Sequence, residues 1–135
     1  MPQSVIFDSS ALVALLDARD EHHVWSRAAV ANLPLPWLTC EAVAAETFFL
    51  LAQPQATRLS RLLRDGRLRV VCGLHDDCNA VLDLMDKYAS VPMSLADACL
   101  VRMTETLPGP LVVTTDADFR IYRRHSRQVV PCLMP

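Results

Sequence analysis

Two short apolar runs in this chain each end on an aspartate. Val5-Ile6-Phe7 leads into Asp8, and Leu111-Val112-Val113-Thr114-Thr115 leads into Asp116. Short runs of this kind read as buried strands of a parallel sheet, and in such sheets functional groups gather beyond the carboxyl ends of the strands. Two aspartates delivered to that edge bring like charges together, which is costly unless a cation or a proton sits between them. Each aspartate also stands where it would cap a following helix, and the sequence leaves both roles open.

The rest of the chain alternates strand-like and helical segments. Ser9 or Ser10 is expected to cap a helix through Leu16, and Asp20 a second from Glu21 to about Leu33, which Pro34 and Pro36 end. Trp37 and Leu38 form a minimal strand, with Thr39 as the next helix cap. From Cys40 to Ala52 the apolar positions Val43, Ala44, Phe48 and Leu51 share one helical face. After Pro54 a helix turns Leu59, Leu62 and Leu63 inward and Arg58, Arg61 and Arg64 outward, with Gly66 as its stop. Leu68 to Val71 reads as strand and Asp76 to Tyr88 as helix. Ser94 opens a helix to about Thr106, and Gln128 to Val130 forms an edge strand. This alternation, without repeats or low-complexity linkers, predicts one α/β domain over residues 1–135, with a mostly parallel central sheet flanked by helices.

Composition removes several classes of function. A chain that is 52% hydrophobic and 21% charged can bury a core, so disorder is excluded. The longest apolar runs, Ala11 to Leu16 and Phe48 to Ala52, fall far short of the ~20 residues of a membrane helix. Residues 1–8 show no signal-peptide pattern. Three scattered glycines exclude a phosphate-cradling or dinucleotide loop. Five cysteines without C-x-x-C read as reduced thiols of a cytosolic protein, mostly core residues, and the four histidines lack zinc-ligand spacing. An aspartyl phosphotransferase would want an acid two residues after Asp8 and a lysine nearby. Position 10 is Ser10, and the only lysine, Lys87, lies mid-helix.

The net charge of −2 is a sum over opposed regions. Residues 1–57 hold six acids against two arginines, a net of −4; residues 58–69 hold five arginines against Asp65, a net of +4; and residues 120–127 add four arginines. The first arginine group is a solvated helix face or a partner surface, with RNA contact as the alternative. Arg120 and Arg123, close after Asp116, are placed to hold phosphates. Tyr122 serves packing or base stacking.

Two further acids join Asp8 and Asp116. Glu46 is flanked by Val43, Ala44, Ala45, Phe48 and Phe49, a setting where a charge needs a partner, either a metal or an arginine. Glu41, about 140° away around the helix, reads as exposed first-turn charge. Asp97 completes a capping box with Ser94, yet it also opens an apolar helix from which it can reach a metal. Asp8, Glu46, Asp97 and Asp116 make an all-oxygen ligand set, which suits Mg²⁺ or Mn²⁺ and the metal-assisted hydrolysis of phosphodiesters.

These residues carry a resemblance over nearly the whole chain. Val5 to Leu12, Asp20-Glu21-His22-His23, Thr39 to Glu46 with Leu50-Leu51, Leu95-Ala96-Asp97-Ala98 and Thr114 to Phe119 resemble, in order, the acid-bearing segments of PIN-domain nucleases. Within that group the chain is similar to the VapC-type toxins of bacterial toxin–antitoxin pairs. The four acids are separated by 38, 51 and 19 residues. The resemblance implies a cytoplasmic endoribonuclease dependent on Mg²⁺ or Mn²⁺. Its catalytic and metal-binding set would be Asp8, Glu46, Asp97 and Asp116, with Glu46 binding directly or through water and Asp118 as a further ligand. Ser10 and Thr115 would orient ligands or substrate, although helix capping explains Ser10 as well. The implied partners are an RNA substrate, a cognate antitoxin protein and a second copy of the chain, with Val24 and Trp25 as exposed apolar residues. The alternative is a non-catalytic PIN-like interaction module that keeps the fold without metal affinity.

Overall fold

In the computed structural model, which describes residues 1–135, the first strand β1 (Ser4–Phe7) is buried at every position. Successive strand side chains point to opposite faces, so a strand buried throughout is covered on both. β1 lies at the centre of a five-stranded sheet. On one side stands β2 (Trp37–Cys40) and beyond it β3 (Leu68–Cys72); on the other stand β4 (Pro110–Val113) and then β7 (Cys132–Leu133). All four pairings are parallel, and Phe7 lies opposite Val113. The mostly parallel α/β architecture is thus as expected.

Six helices flank the sheet: α1 (Ser9–Leu16), α2 (His23–Val30), α3 (Glu41–Leu50), α4 (Gln53–Arg64), α5 (Cys78–Lys87) and α6 (Leu95–Thr106). Their inward residues join a continuous cluster of 27 buried apolar side chains. Phe7 and Trp37 meet with ring centroids 4.7 Å apart, and Tyr122 packs edge-on against both Tyr88 and Phe119. Tyr122 is fully buried, so its ring packs in the core and is closed to base stacking.

Several boundaries differ from the sequence reading for identifiable reasons. Asp8, and not Ser9 or Ser10, caps α1, accepting the Ser9 amide at 2.7 Å. The second helix is shorter than Glu21–Leu33, because Asp20 accepts the amides of His22 and His23 and so holds a turn ahead of α2. Thr39 is no cap. It is a buried residue of β2 whose hydroxyl donates to the Phe7 carbonyl at 2.9 Å, tying the two strands together. Gln128–Val129 (β6) pairs with Arg123–Arg124 (β5) in a separate antiparallel ribbon, and the edge of the main sheet is β7. Trp25 packs half-buried against the core, whereas Val24 is 81% exposed.

Gly66 ends α4 as expected. The Arg67 amide reaches the Leu62 carbonyl and the Gly66 amide the Leu63 carbonyl, with Gly66 at φ +72°. This is the paired-bond helix stop in which a left-handed residue is required. Gly66→Ala places a Cβ in ordinary van der Waals contact with the Arg69 guanidinium, 3.8 Å away, but in a strained backbone region. A loss of about 1 kcal/mol is expected, a melting-temperature fall of a few degrees by calorimetry.

Candidate active site

The register of β1 and β4 builds the site. With Phe7 opposite Val113, Asp8 and Thr114 leave the sheet side by side, and the Asp8 amide donates to the Val113 carbonyl at 3.0 Å. Thr114, fully buried, donates through Oγ1 to Asp8 Oδ2 at 2.7 Å and accepts the Asp116 amide at 3.0 Å. One hydroxyl thereby fixes both strand-end aspartates. Ser10 Oγ donates to Asp8 Oδ2 at 3.0 Å and accepts the Thr115 amide at 3.0 Å, locking the first turn of α1 to the end of β4.

A cleft of about 300 Å³ opens over these residues at the carboxyl edge of the sheet. Asp8, Glu46, Asp97 and Asp116 all line it, as do Asp20 and Glu21 from the turn before α2. Ser10 and Thr115 line it as well. No arginine or lysine does, and His22 is the only basic side chain on its wall.

Asp97 caps α6 and also turns its carboxylate to the cleft. Its amide donates to Ser94 Oγ at 3.0 Å, and its Oδ2 accepts the Ser94 amide at 3.5 Å, completing the capping box. The same oxygen accepts the Tyr122 hydroxyl at 2.9 Å, while Oδ1 has no protein partner. Glu46 departs from expectation. It is exposed on the cleft rim and not buried on an apolar face, because α3 turns Val43, Ala44 and Thr47 inward and leaves Phe48 and Phe49 outside. Its Oε1 accepts the hydroxyl of the buried Ser9 at 3.0 Å, so the protein partner of Glu46 is not an arginine.

Electrostatics follow from this burial and crowding. Asp8 is 3% exposed, and its pKa is pushed up to about 6, chiefly by burial and further by repulsion from Asp97. The hydrogen bonds from Thr114, Ser10 and Ser9 oppose that rise. Asp97 is also held above the ordinary carboxylate range by burial, with Asp116 adding repulsion and Tyr122 offsetting it. The Tyr122 hydroxyl is raised in turn by burial and by the neighbouring Asp97.

The remaining expected residues lie elsewhere. Asp118 sits on the short 3-10 turn after Asp116, its amide donating to Asp116 Oδ1 at 2.9 Å, and does not line the cleft. Arg120 lines a groove with Phe119, Val130 and Met134. Arg123 turns its Nη1 back onto the carbonyls of Arg120, Ile121 and Tyr122 at 2.7–3.2 Å. Ser9, Thr114 and the Tyr122 hydroxyl are the positioning groups that sequence reasoning missed. Their only signal was adjacency to Asp8, or a polar residue ending an apolar strand.

The acids supply oxygen donors in a cleft with no arginine or lysine, and this chemistry fits a hard divalent ion. No three acidic, histidine or cysteine side chains converge tightly enough to cage an ion unaided. Mg²⁺ suits such a site because it retains several waters and takes few carboxylates.

Fold and cleft together define a parallel α/β protein with an acidic site at the carboxyl edge of its sheet. A family model of the PIN domain matches residues 5–124, and the chain belongs to that family. PIN domains are generally nucleases acting on RNA or DNA, typically with divalent metals. No curated protein matches the chain. No helix is long and apolar enough to cross a membrane.

Proposed function

We propose that this protein is a cytoplasmic endoribonuclease, dependent on Mg²⁺ or Mn²⁺, that hydrolyses RNA phosphodiester bonds as the VapC-type toxin of a toxin–antitoxin pair. The observation carrying this reading is that Asp8, Asp97 and Asp116 come from three separate segments to one cleft where no arginine or lysine neutralises them. A purely structural acid cluster would be paired with protein cations. Asp8, Asp97 and Asp116 would hold the ion, with Glu46 binding directly or through water and Asp118 as an outer contributor.

When bound, a divalent ion supplies positive charge at the attacked phosphate and lowers the pKa of water. The chain's own residues do the positioning. Thr114 and Ser10 hold Asp8 Oδ2, and Tyr122 holds Asp97 Oδ2. Ser9 holds one oxygen of Glu46, leaving the other free to orient the attacking water and accept its proton. The proposal includes one domain over residues 1–135, a homodimer, and a cognate antitoxin protein for which exposed Val24 is one contact.

Calorimetric titration with Mn²⁺, followed by RNA cleavage, tests the reading. Wild type is expected to bind Mn²⁺ at millimolar concentration or below, Asp97→Asn at least tenfold more weakly, and EDTA to stop cleavage. Absence of binding at millimolar Mn²⁺ would sink the nuclease and favour a non-catalytic interaction module.

A further inference from the structure

The cleft that would receive the scissile phosphate has six carboxylates and no arginine or lysine on its wall. A bound ion neutralises charge locally, so the grip on the rest of an RNA strand must come from another surface. Arg120 and Arg123 are not that surface, since the first lines a different groove and the second caps backbone carbonyls. A surface that does begin at the cleft is the end of α3. There Phe49 is 88% and Leu50 54% exposed, and Leu50 itself lines the cleft.

Beside it, Phe48 borders a groove of about 360 Å³ whose polar members are Gln53, Thr57 and Ser60 of α4. Gln53, Thr57, Ser60 and Arg64 follow at i, i+4, i+7 and i+11, which is one row along a helix, and Arg61 stands beside it. The row is roughly 16 Å long at the helical rise. Arg61 and Arg64 are exposed and take no part in any ion pair of the molecule. Exposed aromatic rings next to the cleft-lining Leu50, amide and hydroxyl groups in the middle and free guanidinium groups at the far end are the parts by which proteins hold single strands. Bases stack on the rings and positive charge tracks the backbone.

We propose that the surface from Phe49 along α4 to Arg64 binds single-stranded RNA leading to or from the acid cleft. The inference rests on the nuclease reading and adds to it the path and strandedness of the substrate. Charge complementarity decides the occupant: the arginine end opposes a second copy of itself and attracts phosphate.

The test is fluorescence anisotropy in EDTA with a labelled single-stranded RNA of about 16 nucleotides, alongside Mg²⁺-dependent cleavage of one of about 4 nucleotides. Phe49→Ala is expected to weaken binding of the long RNA about tenfold. Arg61→Ala/Arg64→Ala is expected to weaken it and to flatten the slope of log affinity on log salt by about 1.4, the value for two lost phosphate contacts on a single strand. Cleavage of the short RNA is expected to be unchanged in Arg61→Ala/Arg64→Ala, whose altered side chains are exposed at the far end of the row. Unchanged affinity and salt slope would overturn the proposal, as would equal affinity for duplex RNA. A solution dimer that Phe49→Ala dissociates would also overturn it, assigning the patch to a second copy. If wild type cleaves RNA while the variants bind like wild type, only this path falls. If wild type binds the long RNA along this path but cleaves nothing with Mg²⁺, the nuclease reading falls and the path stands.

Discussion

Asp8→Asn is expected to abolish RNA cleavage and, in EDTA, to make the protein more stable at pH 7.5. Asp8 is 3% exposed with its pKa raised from 3.8 to about 6, mainly by burial, so the native state favours the protonated carboxyl. Because the native pKa lies above the unfolded one, the contribution of this group to stability is fully present below about pH 4. It is lost as pH rises through about 6 and stays lost above that. An asparagine is neutral at every pH and keeps an acceptor for the Ser9 amide. At 1.36 kcal/mol per pH unit the gain at pH 7.5 is at most roughly 3 kcal/mol, a rise in melting temperature of up to about 10 °C. It is reduced because the asparagine Nδ2 replaces the oxygen that accepts the Thr114 and Ser10 hydroxyls. The gain should shrink steadily as the pH is lowered from 6 to 4. Thermal melts across that range, paired with a cleavage assay at pH 7.5, check both halves. Retained cleavage would show the metal site to be misassigned, and a pH-independent difference would show that the charge on Asp8 is not what destabilises the cleft.

Thr114→Val should have the opposite effect on the same pair of aspartates. Valine preserves the shape of a fully buried residue but removes the donor to Asp8 Oδ2 and the acceptor of the Asp116 amide. The Asp116 amide loses its partner and Asp8 Oδ2 keeps only the Ser10 hydroxyl, at a cost of about 1–3 kcal/mol. The hydroxyl fixes Asp8 directly and Asp116 through its amide, so Mn²⁺ affinity is expected to fall 10–100-fold. Thr114→Ser, which restores the hydroxyl, should recover most of the affinity even where packing is imperfect. If Thr114→Val binds Mn²⁺ as tightly as wild type, the hydroxyl is structural only. Calorimetry on the three proteins separates these outcomes.

Much of this site is legible in the sequence. Asp8 and Asp116 could be placed at a common sheet edge because apolar strands announce themselves over a few residues. The Ser94–Asp97 capping box and the Gly66 stop are decided within one helical turn, and both appear as expected. Glu46 was misread because α3 carries apolar residues on every side. Periodicity cannot tell which of Val43, Phe48 and Phe49 faces inward, and the structure buries only the first fully. The edge strand β7 is two residues long and leaves no pattern to detect. Nothing local in Arg123 shows that its guanidinium turns back on three carbonyls.

The sequence by itself determined the parallel α/β class, the strand-to-aspartate junctions and the identity of the acids. Each of these depends on neighbours within about four positions. Only the tertiary structure decided that Asp8 is sealed and shifted while Glu46 stands open on the rim, and that the cleft wall excludes arginine and lysine. The bonds responsible link residues 37 apart, as Ser9 to Glu46, and 106 apart, as Thr114 to Asp8. Contacts at such separations follow from the pairing register of β1 with β4 and the docking of α3 against α1. They depend on how the whole core packs, and no short window of sequence contains that information.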